Sequence, residues 1–148
     1  MTIFPGAVGG FALLLLASAA AAQTAPDLSG RDAHWIKDPA KECWAANPDP
    51  EAGETVTWTG GCERGLLSGP GTLTWYVNGR QVGRDEGSFK DGQLSGHGRI
   101  IFADGANFEG EFPGRGTLTL PGGQKVDAIS INESAGWSIE HAPAPPAR

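Results

Sequence analysis

The sequence is poor in the residues from which most catalytic and metal centres are built. Its 148 residues include only two cysteines and three histidines. It contains no Cys-x-x-Cys pair, no His-Glu-x-x-His motif, no phosphate-binding loop and no Gly-x-Ser-x-Gly elbow. His34 and His141 lie near the ends of the chain, and His97 stands between two glycines, where an exposed turn is the simplest interpretation. We therefore expect no cofactor and no bound metal.

Basic residues are also scarce. The sequence has eleven Lys and Arg residues and seventeen Asp and Glu residues, which gives a formal net charge of −6 at pH 7. The basic residues are scattered singly. An acidic chain gains no counterion-release free energy from nucleic acid and is repelled by anionic lipid headgroups. The composition argues against nucleic acid and against an anionic membrane surface as partners.

Charged side chains are missing altogether from residues 1–22. This segment contains the apolar run from Phe11 to Leu16 and ends in alanines that include Ala20, Ala21 and Ala22, a pattern typical of a signal peptide cleaved after Ala22. A retained membrane anchor would need about 20 consecutive apolar residues, and Pro5 and the glycines argue against it. We expect export to the periplasm or the exterior of a bacterium.

Glycine is abundant, and its spacing repeats. The arrangement Gly-x4-Gly-x3-Gly-x-Gly occurs at residues 60–71 and again at 87–98, and a shortened copy occupies 110–116. Two and four residues beyond the last glycine of each copy stand apolar pairs. These pairs are Leu73 and Trp75, Ile100 and Phe102, and Leu118 and Leu120.

An apolar pair at i and i+2 indicates the inward face of a half-buried strand. Cys62, Phe89 and Phe112 follow the first glycine of each copy by two residues and are predicted to point inward as well. Each copy therefore predicts a β-hairpin with glycines at its turns. Asn78-Gly79, in the longer spacer between copies one and two, favours a two-residue turn with positive φ at both positions.

These residues resemble the MORN repeat. Trp58-Thr59-Gly60, Phe89 and the segment Phe108-Glu109-Gly110-Glu111-Phe112 carry the resemblance, whereas Asp85 and Cys62 stand where the repeat has aromatic residues. The resemblance implies an all-β fold, an elongated antiparallel meander of stacked hairpins over residues 55–131. It also implies an interaction surface without an active site. Val126 to Ile131 is predicted to begin a degenerate closing unit.

The segments on either side of the repeats have different predicted roles. Residues 23–54 are rich in proline and are predicted to form a lid over the first hairpin, held by a Cys43–Cys62 disulfide that an exported protein can form. A redox or metal-binding role for the two cysteines is the less favoured alternative. Residues 132–148 are predicted to comprise a C-terminal cap and a disordered tail.

Two groups of side chains are candidate binding residues. Glu86, Glu109 and Glu111 are predicted to form an acidic strip on one face of the sheet, although a merely solvated face is the simpler interpretation. Trp44, Trp58 and Tyr76 are candidates for an aromatic stacking surface, although a core built from the tryptophans is the simpler interpretation.

The sequence thus predicts an exported, non-enzymatic binding or scaffolding module whose partner is a protein or a cell-envelope component. One alternative is a small periplasmic hydrolase that uses the three glutamates as acid and base. Another is a structural envelope protein that self-associates through edge strands.

Overall fold

The computed structural model describes residues 34–47, 49–133 and 136–141, and within them it contains eleven strands and no helix. The predicted signal peptide, residues 23–33 of the predicted lid and residues 142–148 of the predicted tail lie outside the described residues. The strands are His34–Lys37 (β1), Trp44–Asn47 (β2), Glu54–Trp58 (β3), Gly61–Glu63 (β4), Leu66–Val77 (β5), Arg80–Lys90 (β6), Gln93–Phe102 (β7), Asn107–Phe112 (β8), Gly114–Thr119 (β9), Lys125–Glu133 (β10) and Gly136–His141 (β11).

The predicted all-β meander is confirmed. Strands β5 to β11 follow one another across a curled sheet, each antiparallel to the next. Strands β3 and β4 both pair with β5, one along each half of its length. The first repeat is therefore a hairpin whose leading strand is interrupted between Trp58 and Gly61.

We call the described residues of the predicted lid, 34–47 and 49–54, the leader, and they include a β-hairpin, β1–β2, that adds to the sheet. Strand β2 pairs with the start of β5 in parallel, at Trp44 and Leu66. The amide of Ala46 donates a hydrogen bond of 2.9 Å to the carbonyl of Gly92 in the β6–β7 turn. A second tie comes from buried Asp38, whose Oδ2 accepts the amide of Trp58 at 2.8 Å.

The predicted turn glycines are confirmed at the hairpin ends. Three two-residue turns, at 64–65, 78–79 and 91–92, have positive φ at both residues. In all three the second residue is glycine, the residue type that tolerates this backbone conformation best. The turn at 78–79 is the Asn-Gly pair that the spacer predicts.

The repeat glycines form a row that crosses the sheet. Residues paired in succession along this row are Gly71, Gly87, Gly98, Gly110, Gly116 and Ala128. A Cβ added at Gly71 would overlap the Trp58 ring, and one added at Gly116 would overlap the Phe108 ring. The missing side chains leave the space into which these aromatic rings pack.

A second row, two residues away, carries the core. Leu73, Ile100 and Leu118 lie on one face, as predicted, because the register connects them through Asp85 and Phe108. We call this the inner face. Phe89 meets Trp58 edge-on at 4.7 Å between ring centroids, and Phe108 meets Phe112 at 5.2 Å. The inward positions predicted for Phe89 and Phe112 are thus confirmed.

The predicted disulfide between Cys43 and Cys62 is present, with Cα atoms 6.1 Å apart. The prediction that Cys62 points into the core is wrong. Cys62 is exposed, because it lies on a three-residue strand whose residues are all exposed, and Cys43 is the fully buried member of the pair.

Candidate binding surfaces

The predicted glutamates lie on the face of the sheet opposite the core, which we call the outer face. Alternation along each strand puts the side chain of Glu86 on the side opposite Asp85, and Glu109 on the side opposite Phe108. The register places Arg99 of β7 directly between Glu86 and Glu109. The sequence-based prediction grouped these two glutamates by their repeat position and did not include the basic residue Arg99 that lies between them.

The outer face therefore carries an interleaved set of charges. We define the outer strip as Glu86, Arg99, His97, Glu109 and Glu111. His97 Nδ1 lies 3.3 Å from Glu111 Oε1, and its Nε2 lies 3.8 Å from Glu109 Oε1. These three side chains are 67%, 58% and 56% exposed, so solvent screens their attraction and each pair contributes little to stability.

The predicted aromatic residues do not form one surface. Trp58 is only 3% exposed and belongs to the core, so its proposed role as a stacking residue is wrong. Trp44 is half-buried on β2, with Lys37 Nζ 5.9 Å from the ring centroid. Tyr76 is half-buried near the other end of β5, paired with Thr55 and Gln81.

A signal for the position of Trp58 exists in the repeat. Trp58 precedes Gly60 by two residues, as Phe108 precedes Gly110. Phe108 is fully buried on the inner face, and the equivalent position in copy one is buried for the same reason. Repeat position, rather than aromatic character, distinguishes the core ring from a displayed one.

The inner face opens into a cleft between the leader and strands β5 to β7. This inner cleft has a volume of about 480 Å³. Its sheet side carries apolar residues that include Leu73, Trp75, Ile100 and Phe102, and Ile139 of β11 also contributes. On its leader side lie Ala46 and Asn47 of β2 and the acidic residues Asp49, Glu51 and Glu54.

Asp85 lies in the apolar sheet wall of the inner cleft. Its cross-strand partners are Leu73 and Ile100, and its Oδ2 accepts a hydrogen bond of 2.9 Å from Trp75 Nε1. Burial among these side chains raises the pKa of Asp85 from 3.8 to about 7, and the Trp75 hydrogen bond opposes part of that rise. A carboxyl group that is half ionised at neutral pH is unusual in an otherwise apolar wall.

Sequence reasoning missed the inner cleft. Its one available signal was Asp85, a carboxylate at a repeat position that elsewhere holds an aromatic residue. The leader forms the other side of the cleft, and its position depends on contacts distant in sequence.

The described part of the chain offers neither a metal-binding cluster nor a membrane-spanning helix. No three His, Cys, Asp or Glu residues there are grouped so that they could hold a metal ion. No helix of sufficient length and apolarity to cross a membrane occurs among these same residues.

Comparison with known families supports the identity of the repeats. Residues 57–83 and 86–106 match the family model of the MORN repeat, and such repeats are typically modules that bind proteins or membranes. Comparison with curated proteins and with solved structures finds no match to this chain.

Proposed function

Because the chain carries MORN repeats, we propose that it is an exported, non-enzymatic binding module that engages a protein or another cell-envelope component through the outer strip. The observation that carries the proposal is the display of alternating acidic and basic side chains across three adjacent strands. Such a pattern favours a partner with complementary charges, because electrostatic complementarity governs specificity and encounter rate.

Both signs of charge on the strip support a protein partner over an anionic lipid surface. Arg99 stands between two glutamates, and Arg84 is paired with Glu86 at 2.6 Å. A membrane-binding patch needs clustered, unneutralised cations, which the described outer strip does not offer.

The test of this proposal is capture of the partner by matched charge variants. After crosslinking in intact cells, the wild type should retain a discrete set of proteins that Glu109→Gln/Glu111→Gln loses. The control Glu42→Gln/Glu63→Gln removes the same charge from exposed positions outside the strip and should capture what the wild type captures. Equal capture by both double variants would contradict a role for the outer strip.

A hydrolase remains the competing candidate, and one observation favours it: His97 lies close to both Glu109 and Glu111. Such a group could exchange protons with a substrate. The mass of the captured partner separates the two functions. A binding module leaves that mass unchanged on prolonged incubation, whereas an enzyme lowers it with the wild type but not with Glu109→Gln.

Export is the other part of the proposal and has its own measurement. The chain recovered from cells should begin at Gln23, because the small residues at 20–22 suit a signal peptidase. A recovered chain that begins at residue 1 and stays inside the cell would contradict export.

A further inference from the structure

We propose that the inner cleft binds a small ligand that combines an apolar body with a protonated amine, and that the amine pairs with Asp85. This site is separate from the outer strip and does not depend on the function proposed for it. Three properties of the cleft support the assignment: its size, the placement of its one carboxyl group in the sheet wall, and the sign of the charge at its rim.

The size and walls of the cleft suit a small organic molecule. A volume of about 480 Å³ lies within the range typical of ligand pockets, which are mostly apolar with a few polar groups that orient the ligand. Leu73, Trp75, Ile100 and Phe102 supply the apolar walls here. Phe102 is 40% exposed, the only large apolar side chain so exposed among the described residues, so apolar surface remains there for a ligand to cover.

The carboxyl group of Asp85 is held in place and is still available. Trp75 Nε1 occupies Oδ2 and fixes the side chain against the wall. Trp75 is the only residue in the described ranges that hydrogen-bonds this carboxyl, which leaves Oδ1 for a ligand donor. A charge-assisted hydrogen bond from an ammonium group is the strongest contact that such an oxygen can accept.

The surrounding charge favours a cation over an anion. Asp49, Glu51 and Glu54 line the leader side of the cleft. Arg84 is the only basic residue among those that line it, but its guanidinium pairs with Glu86 on the outer face, at 2.6 Å. A carboxylate ligand would therefore be repelled by these acidic groups and would find no unpaired basic residue in the cleft lining. An ammonium group would be attracted both by the acidic residues on the leader side and by Asp85 in the sheet wall.

Binding of an amine should depend on pH in a defined direction. Asp85, with its pKa of about 7, must be ionised to pair with the amine, so affinity falls as the pH drops below 7. Between pH 8 and pH 6 the ionised fraction falls about tenfold, and the apparent affinity falls with it. The other acidic groups at the cleft are Asp49, Glu51 and Glu54. Leu73 of β5 and Ile100 of β7 flank Asp85 across the strands, and Ile139 of β11 lines the same cleft.

Three probes with one carbon skeleton test the proposal: 4-phenylbutylamine, 4-phenylbutanol and 4-phenylbutyrate. Each is titrated into the purified full chain at pH 8 and pH 6 by calorimetry or NMR. We expect the amine to bind at least tenfold more tightly than the alcohol at pH 8, the carboxylate not to bind, and the amine to lose about tenfold in affinity at pH 6.

Two variants with the same change of charge complete the test. Asp85→Asn keeps the shape of the side chain and should lose the preference for the amine. Asp127→Asn removes an exposed acid on β10 that is not among the residues lining the cleft, and should bind as the wild type does. If Asp85→Asn fails to fold, the pH series on the wild type decides alone. Equal binding of amine and alcohol, a pH-independent affinity or no binding of the amine would each overturn the proposal.

Discussion

Asp85 shows how one residue changes the chemistry of a repeated position. Its neighbours across the strands, Leu73 and Ile100, are apolar, and the next residues along the same row are Phe108 and Leu118. A carboxyl group in this row loses hydration, which is why its pKa rises. The desolvation of a carboxyl group is unfavourable at this one position, whereas the other residues of the row are apolar and form the core.

Asp85 should make stability depend on pH in the direction opposite to most carboxylates. The pKa of Asp85 is higher in the folded state than in the unfolded state, so the folded state binds the proton more tightly. The contribution of this proton to the free energy of unfolding is therefore fully present below pH 4 and is lost as the pH rises through 7. Relative to Asp85→Asn, the wild type should lose up to about 4 kcal/mol of unfolding free energy between pH 4 and pH 8. Urea titrations of both proteins across this range measure it. A difference that stays constant with pH would contradict the account.

At the scale of single residues, the repeat spacing predicted which face of the sheet most core side chains occupy. The spacing identified Asp85 and Cys62 as departures and placed Leu73, Ile100 and Leu118 on one face. The prediction that Cys62 points into the core was wrong, because the register of a repeat does not show whether other residues cover a short edge strand.

At the scale of the element, the glycine row sets how closely neighbouring strands and aromatic rings approach. A Cβ at Gly110 would lie 2.5 Å from the carbonyl oxygen of Arg115 and from the Cα of Gly116. Both are backbone atoms of the adjacent strand, which cannot move without breaking the pairing of β8 with β9. Position 110 therefore requires glycine, because the adjacent strand leaves no space for a side chain.

Gly110→Ala should therefore lower the unfolding free energy by about 2 kcal/mol, the usual cost of forcing atoms into a well-packed region. Gly122→Ala is the control, because nothing lies within 4 Å of a Cβ there and its φ is not positive. That substitution should change stability by less than about 0.5 kcal/mol. Equal denaturation midpoints for the two variants would show that the row does not need glycine.

The disulfide fastens the leader to the first repeat. It closes a segment with a sequence separation of 19, for which the chain-entropy model gives a stabilisation of about 3 kcal/mol. The double variant Cys43→Ala/Cys62→Ala should lose about this amount in urea titrations, and reduction of the wild type should have a similar effect. An unchanged midpoint after reduction would mean that the leader is held by Asp38 and the β2–β5 pairing without the covalent bond.

Local patterns predicted the hairpins but not the leader. The Asn78-Gly79 turn and the inward alternation of β5 and β7 are properties of neighbouring residues, so the sequence contains them directly. The pairing of Trp44 with Leu66, and of the Ala46 amide with Gly92, joins segments that are distant in the chain. The predicted lid is present and held by the disulfide, but local patterns did not indicate that it is itself a β-hairpin paired with the sheet.

At the scale of the whole molecule, the two faces of one sheet have different chemistry. The inner face carries the core and the inner cleft, and the outer face carries the outer strip. Alternation along the strands separates the two sets of side chains, so the proposed partner and the proposed amine ligand would not compete for the same residues.

The central claim is that the outer strip is the surface that meets the partner. It is tested most directly by a photocrosslinking amino acid placed at Glu111 on the strip or, as a control, at exposed Gln124 in the β9–β10 turn, in intact cells. We predict a discrete adduct with another protein from position 111 and none from position 124. Adducts of equal yield at both positions, no adduct at either, or an adduct that consists only of a second copy of this chain would contradict the claim, and the last result would favour self-association instead.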